Sequence, residues 1–241
     1  AVDRLYALFG KLGADFNGDL FGSDLTEERT QVTPAHVETV RHLLAGDDME
    51  SGQMALDFWA YDFRAIPIET ISAIYQEFLS LEGPQERRQA GAYYTPRMLA
   101  EVTLDMALED VPSLADCRVL DPSCGSGIFL VGLFNRMAEE LRQRSPELGQ
   151  TAFADQLKDL LRHNLYGVDI NPTACRIAAF SLYLALLDQL QPRDIQALQK
   201  RGKFLPKLFR DSAADPRVSA GTIVCANAFA DDLGLPPGGF D

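Results

Sequence analysis

Arg118-Val119-Leu120-Asp121-Pro122-Ser123-Cys124-Gly125-Ser126-Gly127 is the stretch whose reading decides the fold. A short apolar run ends in a carboxylate, passes through Pro-Ser-Cys and Gly-Ser-Gly, and continues into Ile128-Phe129-Leu130-Val131. That order predicts strand, glycine-rich turn and helix, the opening unit of a Rossmann-like sheet. Glycines at 125 and 127 permit positive φ and let a ligand approach the backbone where a Cβ would intrude. The helix that follows offers unpaired N–H groups and a positive dipole end to an anionic group. Two readings stay open on this stretch alone, a purely structural turn and a ligand cradle.

The ligand reading has a chemical direction. The spacing is not the dinucleotide fingerprint, and a carboxylate at the strand end argues against a pyrophosphate. Asp121 suits a ligand carrying an ammonium as well as a carboxylate, and S-adenosylmethionine has both. Two later strands end in the same way. Leu165-Tyr166-Gly167-Val168-Asp169-Ile170 closes on a second carboxylate, and Thr222-Ile223-Val224-Cys225-Ala226 runs into Asn227-Ala228-Phe229. Strand C-termini of a doubly wound sheet line one crevice. There Asp169 would accept hydrogen bonds from two ribose hydroxyls, and Asn227 would offer a donor and an acceptor to an adenine edge. Ile170 and Phe229 are candidates for apolar contact with the ring. Asp169 stands 48 positions after Asp121, against roughly 20 in the dinucleotide pattern. An extra loop and helix, at about 145 to 163, fill the gap.

Around these strands the chain alternates as an α/β unit should. Helices are expected from Ile128 to about Leu141, from Phe153 to Leu161, and from Asn171-Pro172 to about Leu190. The last carries an apolar face of Ile177, Phe180, Leu184 and Leu187. Residues 191–220 read as polar loop, with one short helix near Leu205 to Phe209. Upstream, Thr95 and Pro96 read as N-cap and first residue of a helix to about Leu108, with Tyr94 and Leu99 as a staple.

Residues 1–90 read as a separate, mainly helical region. A loosely helical start (Leu5, Leu8, Phe9, Leu12) gives way to the turn at Asn17-Gly18-Asp19. Thr33-Pro34 opens a helix to about Leu44, with Val32 and Val37 placed as a staple. An aromatic cluster surrounds Trp59, the single tryptophan; it suits a local core, or a platform on which bases stack. Ile71, Ile74, Tyr75 and Phe78 share one helical face, which Gly83-Pro84 ends, and the charged link 85–89 marks the domain boundary.

Composition narrows the class. The 241 residues are 46% hydrophobic and 24% charged, as in a soluble globular chain, with no apolar run of membrane-spanning length. A cytoplasmic setting and no membrane association are expected. Cys117, Cys124, Cys175 and Cys225 form no CxxC pair, so buried reduced thiols are expected and no metal. His36, His42 and His163 share no ligand spacing and are assigned solvated or capping roles. A net charge of −13 is the wrong sign for a duplex-binding platform.

Three segments carry a family resemblance: Gly91-Ala92-Tyr93-Tyr94-Thr95-Pro96, Val119 to Gly127, and Gly167-Val168-Asp169-Ile170-Asn171-Pro172. Together they resemble motifs X, I and II of the gamma-class amino-methylating DNA methyltransferases, with Asn227 where motif III is expected. Phe16 to Phe21 and Ile66 to Ile71 resemble the segment that precedes the methylase in single-chain type II restriction-modification enzymes. The resemblance implies a partial Rossmann-like methyltransferase sheet over 91–241 behind a helical region over 1–90. It implies S-adenosylmethionine as cofactor, held by Tyr94, Thr95, Pro96, Asp121, Pro122, Ser123, Gly125, Gly127, Asp169, Ile170, Asn227 and Ala228. It also implies methyl transfer to N6 of a flipped adenine in double-stranded DNA, with a fused or partner endonuclease in the same system.

The family's catalytic motif IV, Asn/Asp-Pro-Pro-aromatic, and its recognition domain are expected beyond Asp241. With Ala1 in place of Met, the chain is expected to be cut from something longer or processed. This stretch alone is therefore expected not to methylate DNA, and the DNA-reading surface to lie elsewhere. The family's first strand pairs with a strand that would begin just after Asp241, so that edge is expected to be covered by a neighbouring element or another copy, or to drive aggregation. The competing readings are a methyltransferase acting on protein glutamine or RNA, which shares the downstream signature, and a cofactor-free interaction module.

Overall fold

The computed structural model describes residues 1–15, 19, 25–45, 47, 70–71, 74, 95–200, 205–211 and 221–241. The chain divides into two compact units, Ala1–Pro67 and Ile68–Asp241. The aromatic cluster around Trp59, the Asn17-Gly18 half of the first turn, Tyr94 and the expected boundary near residue 90 lie outside the described residues.

The first unit is helical where described: α1 (Val2–Asp15), α2 (Thr26–Gln31) and α3 (Pro34–Ala45). The start of α3 is a reciprocal cap. Thr33 Oγ1 accepts the His36 N–H at 3.4 Å, and His36 Nδ1 accepts the Thr33 N–H at 3.3 Å. Histidine thus takes the place that Glu or Gln holds in the usual capping box. At the other end of the helix His42 Nδ1 lies 2.5 Å from Asp47 Oδ2.

In the second unit, α4 (Arg97–Ala107) precedes a short 3-10 turn (Leu114–Asp116) and β1 (Val119–Asp121). Then follow α5 (Ile128–Arg144), α6 (Gln150–His163), β2 (Leu165–Asp169), α7 (Pro172–Asp188), α8 (Pro192–Gln199), β3 (Phe209–Asp211) and β4 (Ile223–Cys225). The four strands form a parallel sheet in the order β1-β2-β4-β3. Parallel neighbours need crossover connections, and α5 and α6 supply the one from β1 to β2. The expected α/β class, a Rossmann-like parallel sheet preceded by a mainly helical N-terminal region, is therefore the observed one.

The core lies on the helical face of the sheet. Leu130, Phe134 and Met137 of α5, Leu157 and Leu161 of α6, and Ala178, Leu182, Tyr183 and Leu186 of α7 are fully buried. Tyr183 is satisfied there, donating to the Pro206 carbonyl at 2.7 Å and accepting the Leu208 N–H at 3.2 Å. This bond pair fixes the approach to β3. On the opposite face Phe240 meets Tyr166 edge-on, with ring centroids 5.4 Å apart.

Four expectations about elements are corrected. Residues 192–199 form a helix where loop was expected, opened by Pro192 at the first helical position. The segment near Leu205 to Phe209 is not a helix. Pro206 disfavours helical backbone at Leu205, and Phe209 begins β3. Pro96 is the N-cap of α4 rather than its first helical residue, and no side chain caps that end. Its φ of −56° suits a helix, but its ψ of 139° keeps it extended, so Thr95 stands one residue too early to cap. Finally, Ile177, Phe180, Leu184 and Leu187 of α7 are only half-buried, while the interleaved Ala174, Cys175, Ala178, Ala179 and Ala185 are buried. Small side chains let α7 approach the glycine turn and the sheet closely; a Cβ on Gly127 would stand 3.0 Å from that of Ala178.

β1 is paired by β2 on one side. On the other, the Asp241 N–H donates to the Arg118 carbonyl and the Asp241 carboxylate accepts the Arg118 N–H, both at 2.9 Å.

Candidate cofactor-binding site

The carboxyl ends of β1, β2 and β4 converge through their register. Asp121 pairs with Gly167, Gly167 with Ile223, and Asp169 with Cys225. The Ala226 N–H then donates to the Asp169 carbonyl at 2.9 Å, which brings Asn227 to the same edge. The three polar strand ends singled out by sequence, Asp121, Asp169 and Asn227, thus share one edge of one sheet.

The glycine turn is stitched to β2. The Cys124 N–H donates to the Val168 carbonyl at 2.9 Å, and the Gly125 N–H to Asp169 Oδ2 at 2.9 Å. Asp169 Oδ1 accepts the Asn171 N–H at 2.8 Å. Each Asp169 oxygen therefore holds one backbone bond and keeps capacity for another acceptor contact. Asn171 in turn caps α7, accepting from Thr173 N–H at 2.9 Å and Ala174 N–H at 3.1 Å.

Asp121 differs from Asp169. One oxygen, Oδ1, accepts the Ser123 N–H at 3.0 Å, while Oδ2 is buried without a partner. Burial pushes its carboxyl pKa up; the Ser123 N–H opposes the shift, and the nearby Asp169 carboxylate adds to it. A buried carboxylate oxygen that lacks a donor is costly to the fold, and a cationic ligand group would supply that donor.

The turn leaves room for such a ligand. Gly125 has φ of +53°, and a Cβ there would meet nothing within 4 Å. Gly127, the N-cap of α5 with φ of +89°, packs against Ala178 instead, so its need for glycine is structural. Pro122 and Ser123 are exposed beside the opening, and Ala228 is half-buried next to the exposed Asn227. Ile170 is 62% exposed and Phe229 95% exposed, two apolar side chains standing free at the strand ends. Thr95 and Pro96 lead into α4, which packs on α5.

Cys124 is a contributor that sequence reading passed over as a core thiol. Its side chain is buried inside the turn, and the neighbouring Cys175 thiol and burial raise its pKa well above the ordinary range. It is packing rather than nucleophile. Gly167 has a related role: a Cβ there would strike Leu130 and Cys124, so the bare backbone of β2 lets the turn sit down on the sheet. No spacing rule points to either residue.

A parallel sheet with acidic strand ends over a glycine turn, fronted by helices, defines the class as a Rossmann-like methyltransferase fold. The chain belongs to the N-6 DNA methylase family, whose model matches residues 67–199, more than half of its length. It is 39% identical over 109 residues to the type II methyltransferase M.MamI of Microbacterium ammoniaphilum, covering 42% of this chain and 26% of that protein. It is 28% identical over 116 residues to the type II restriction enzyme and methyltransferase RM.BcgI of Heyndrickxia coagulans, covering 48% of this chain and 16% of that protein. It is 30% identical over 104 residues to the adenine-specific methyltransferase PglX of Streptomyces coelicolor, covering 42% of this chain and 8% of that protein. The chain thus matches no more than 26% of the length of any of these three relatives. Among the described residues, no helix is long and apolar enough to cross a membrane.

Proposed function

We propose that residues 91–241 form the S-adenosylmethionine-binding part of a DNA adenine-N6 methyltransferase of a restriction-modification system. Family membership implies use of a methyl donor. The observation that carries the choice of donor is the partnerless Oδ2 of Asp121 beside an open glycine turn. A methionine ammonium would take that oxygen, and the N–H groups at the start of α5 would face the carboxylate. Asp169 would accept the ribose hydroxyls through its remaining lone pairs. Ile170, Asn227 and Ala228 would meet the adenine, with Pro122, Ser123, Gly125 and Gly127 shaping the pocket floor. Tyr94, Thr95 and Pro96 are assigned to the methionine side on the family pattern alone.

S-adenosylmethionine supplies an electrophilic methyl group. This chain's part is to hold and orient the donor, while target adenine, duplex contacts and any nuclease belong to the whole protein. The names of the relatives support DNA over protein glutamine or RNA as the substrate class. A cytoplasmic setting follows from that substrate.

The test is calorimetric titration of the chain with S-adenosylmethionine, with ATP as the control ligand. Saturable binding of the first alone, abolished in Asp169→Ala, is the expected outcome. Equal binding of ATP, or no heat with either, would overturn the reading in favour of a module that keeps the fold without the donor.

A further inference from the structure

Arg210 lies just beyond the short helix that the sequence led one to expect near Leu205 to Phe209, in a stretch otherwise expected to be polar loop. It sits in β3 opposite Val224 of β4. Its neighbour Phe209 lies under the Arg176 guanidinium of α7, 4.3 Å from the ring centroid. Alternation along a strand then sends Arg210 to the other face, where it is only 7% exposed. Its Nε is buried without a partner, so the cover that holds this guanidinium reaches it through the terminal nitrogens.

The cover is the continuation of the Asn227 loop. Arg210 Nη2 donates to the Leu233 carbonyl, and Asp232 supplies opposite charge nearby. Asp232 Oδ1 accepts the Gly234 N–H at 2.8 Å, closing a turn around the guanidinium. Gly234 has φ of +56°, and a Cβ there would fall on the guanidinium itself. At the other end of the loop Asn227 Oδ1 accepts the Phe229 N–H at 3.0 Å, and its carbonyl accepts the Ala230 N–H at 2.9 Å. Two turns thus stand back to back. The first carries the adenine-facing residues, and the second is clasped by Arg210. Phe229 is 95% exposed, so packing does not hold the apex in place.

We propose that Arg210 is a positioning residue, which sets the Asn227–Phe229 turn at the height where it reads the cofactor's base. The proposal rests on the nucleoside reading of the strand ends. Arg210 touches neither base nor methyl group; it acts by anchoring the far end of the loop.

The test compares two ligands that differ only at the base edge, S-adenosylhomocysteine and S-inosylhomocysteine. Wild-type chain is expected to prefer the adenine ligand. In Arg210→Met that preference falls about tenfold, the scale of one charge-assisted hydrogen bond, because the edge-reading groups lose their register. Arg210→Lys, which keeps a charged donor, restores part of the preference. Gly234→Ala, which displaces the guanidinium without removing it, reproduces the loss. A purely structural role would weaken both ligands equally and leave their ratio unchanged, and that result in Arg210→Lys and Gly234→Ala overturns the proposal even if Arg210→Met fails to fold. Wild-type chain that takes up neither ligand overturns the nucleoside reading and this inference together. Wild-type chain that discriminates, beside variants that discriminate equally, overturns this inference alone.

Discussion

Asp121 carries a conflict between folding and binding. Its unpartnered oxygen and raised pKa mean that the folded chain holds the proton more tightly than the unfolded chain. The linkage sign follows: stability is lost as pH rises from the ordinary carboxylate range through the folded pKa. Asp121→Asn is therefore expected to melt higher than wild type near neutral pH. The gap should close once the pH falls below the ordinary carboxylate range. The same variant should bind S-adenosylmethionine about ten- to a hundredfold more weakly, the worth of a charged hydrogen bond. Melting curves across pH beside calorimetry check both halves. Gly127 is the opposite kind of residue. Gly127→Ala places a Cβ at φ of +89° against Ala178, and should cost more than about 1 kcal/mol in denaturant unfolding.

At the scale of elements, the junction between β2 and α7 links fold to site. Asn171 caps the helix while its own N–H holds Asp169 Oδ1. Asn171→Ala should cost about 1 kcal/mol by loss of the cap, measured as a shift in the urea midpoint. The effect on ligand affinity should be smaller, because the backbone N–H that orients Asp169 remains. α4 shows the limit of local reading. Ala100 and Leu104 face inward, while Met98, Leu99, Val102 and Met106 are exposed along the other side. Its apolar content therefore exceeds what its packed face uses.

For the molecule as a whole, the net charge of −13 sets the expected behaviour with nucleic acid. Duplex binding draws on cationic contacts that release counterions, and this chain has the opposite balance. Mobility shift with unmethylated duplex at physiological salt is expected to show no complex, with or without cofactor. Retention of duplex that weakens steeply with salt would contradict this. The donor should instead register in stability. At a hundred times its dissociation constant, a ligand specific for the folded state adds about 2.7 kcal/mol. S-adenosylmethionine should therefore raise the melting temperature of the wild-type chain but not of Asp169→Ala.

What the sequence determined by itself was local and repetitive. A carboxylate before Gly-Ser-Gly, a second before Asn-Pro and an amide after the last apolar run mark strand ends, because turn chemistry and capping act over a few residues. Those signals located β1, β2, β4 and α5 to α7 within a few positions. They could not order the strands. β3 inserts beyond β4, and only pairing across the sheet reveals it. Nor could they show that α7 packs by its small residues, since burial of Ala178 depends on the glycine turn opposite. Arg210 had no signal at all: its partner is a carbonyl brought to it by the return of the chain across the sheet. Periodicity and caps are properties of neighbours in sequence. Which oxygen of Asp121 goes unpaired is a property of neighbours in space.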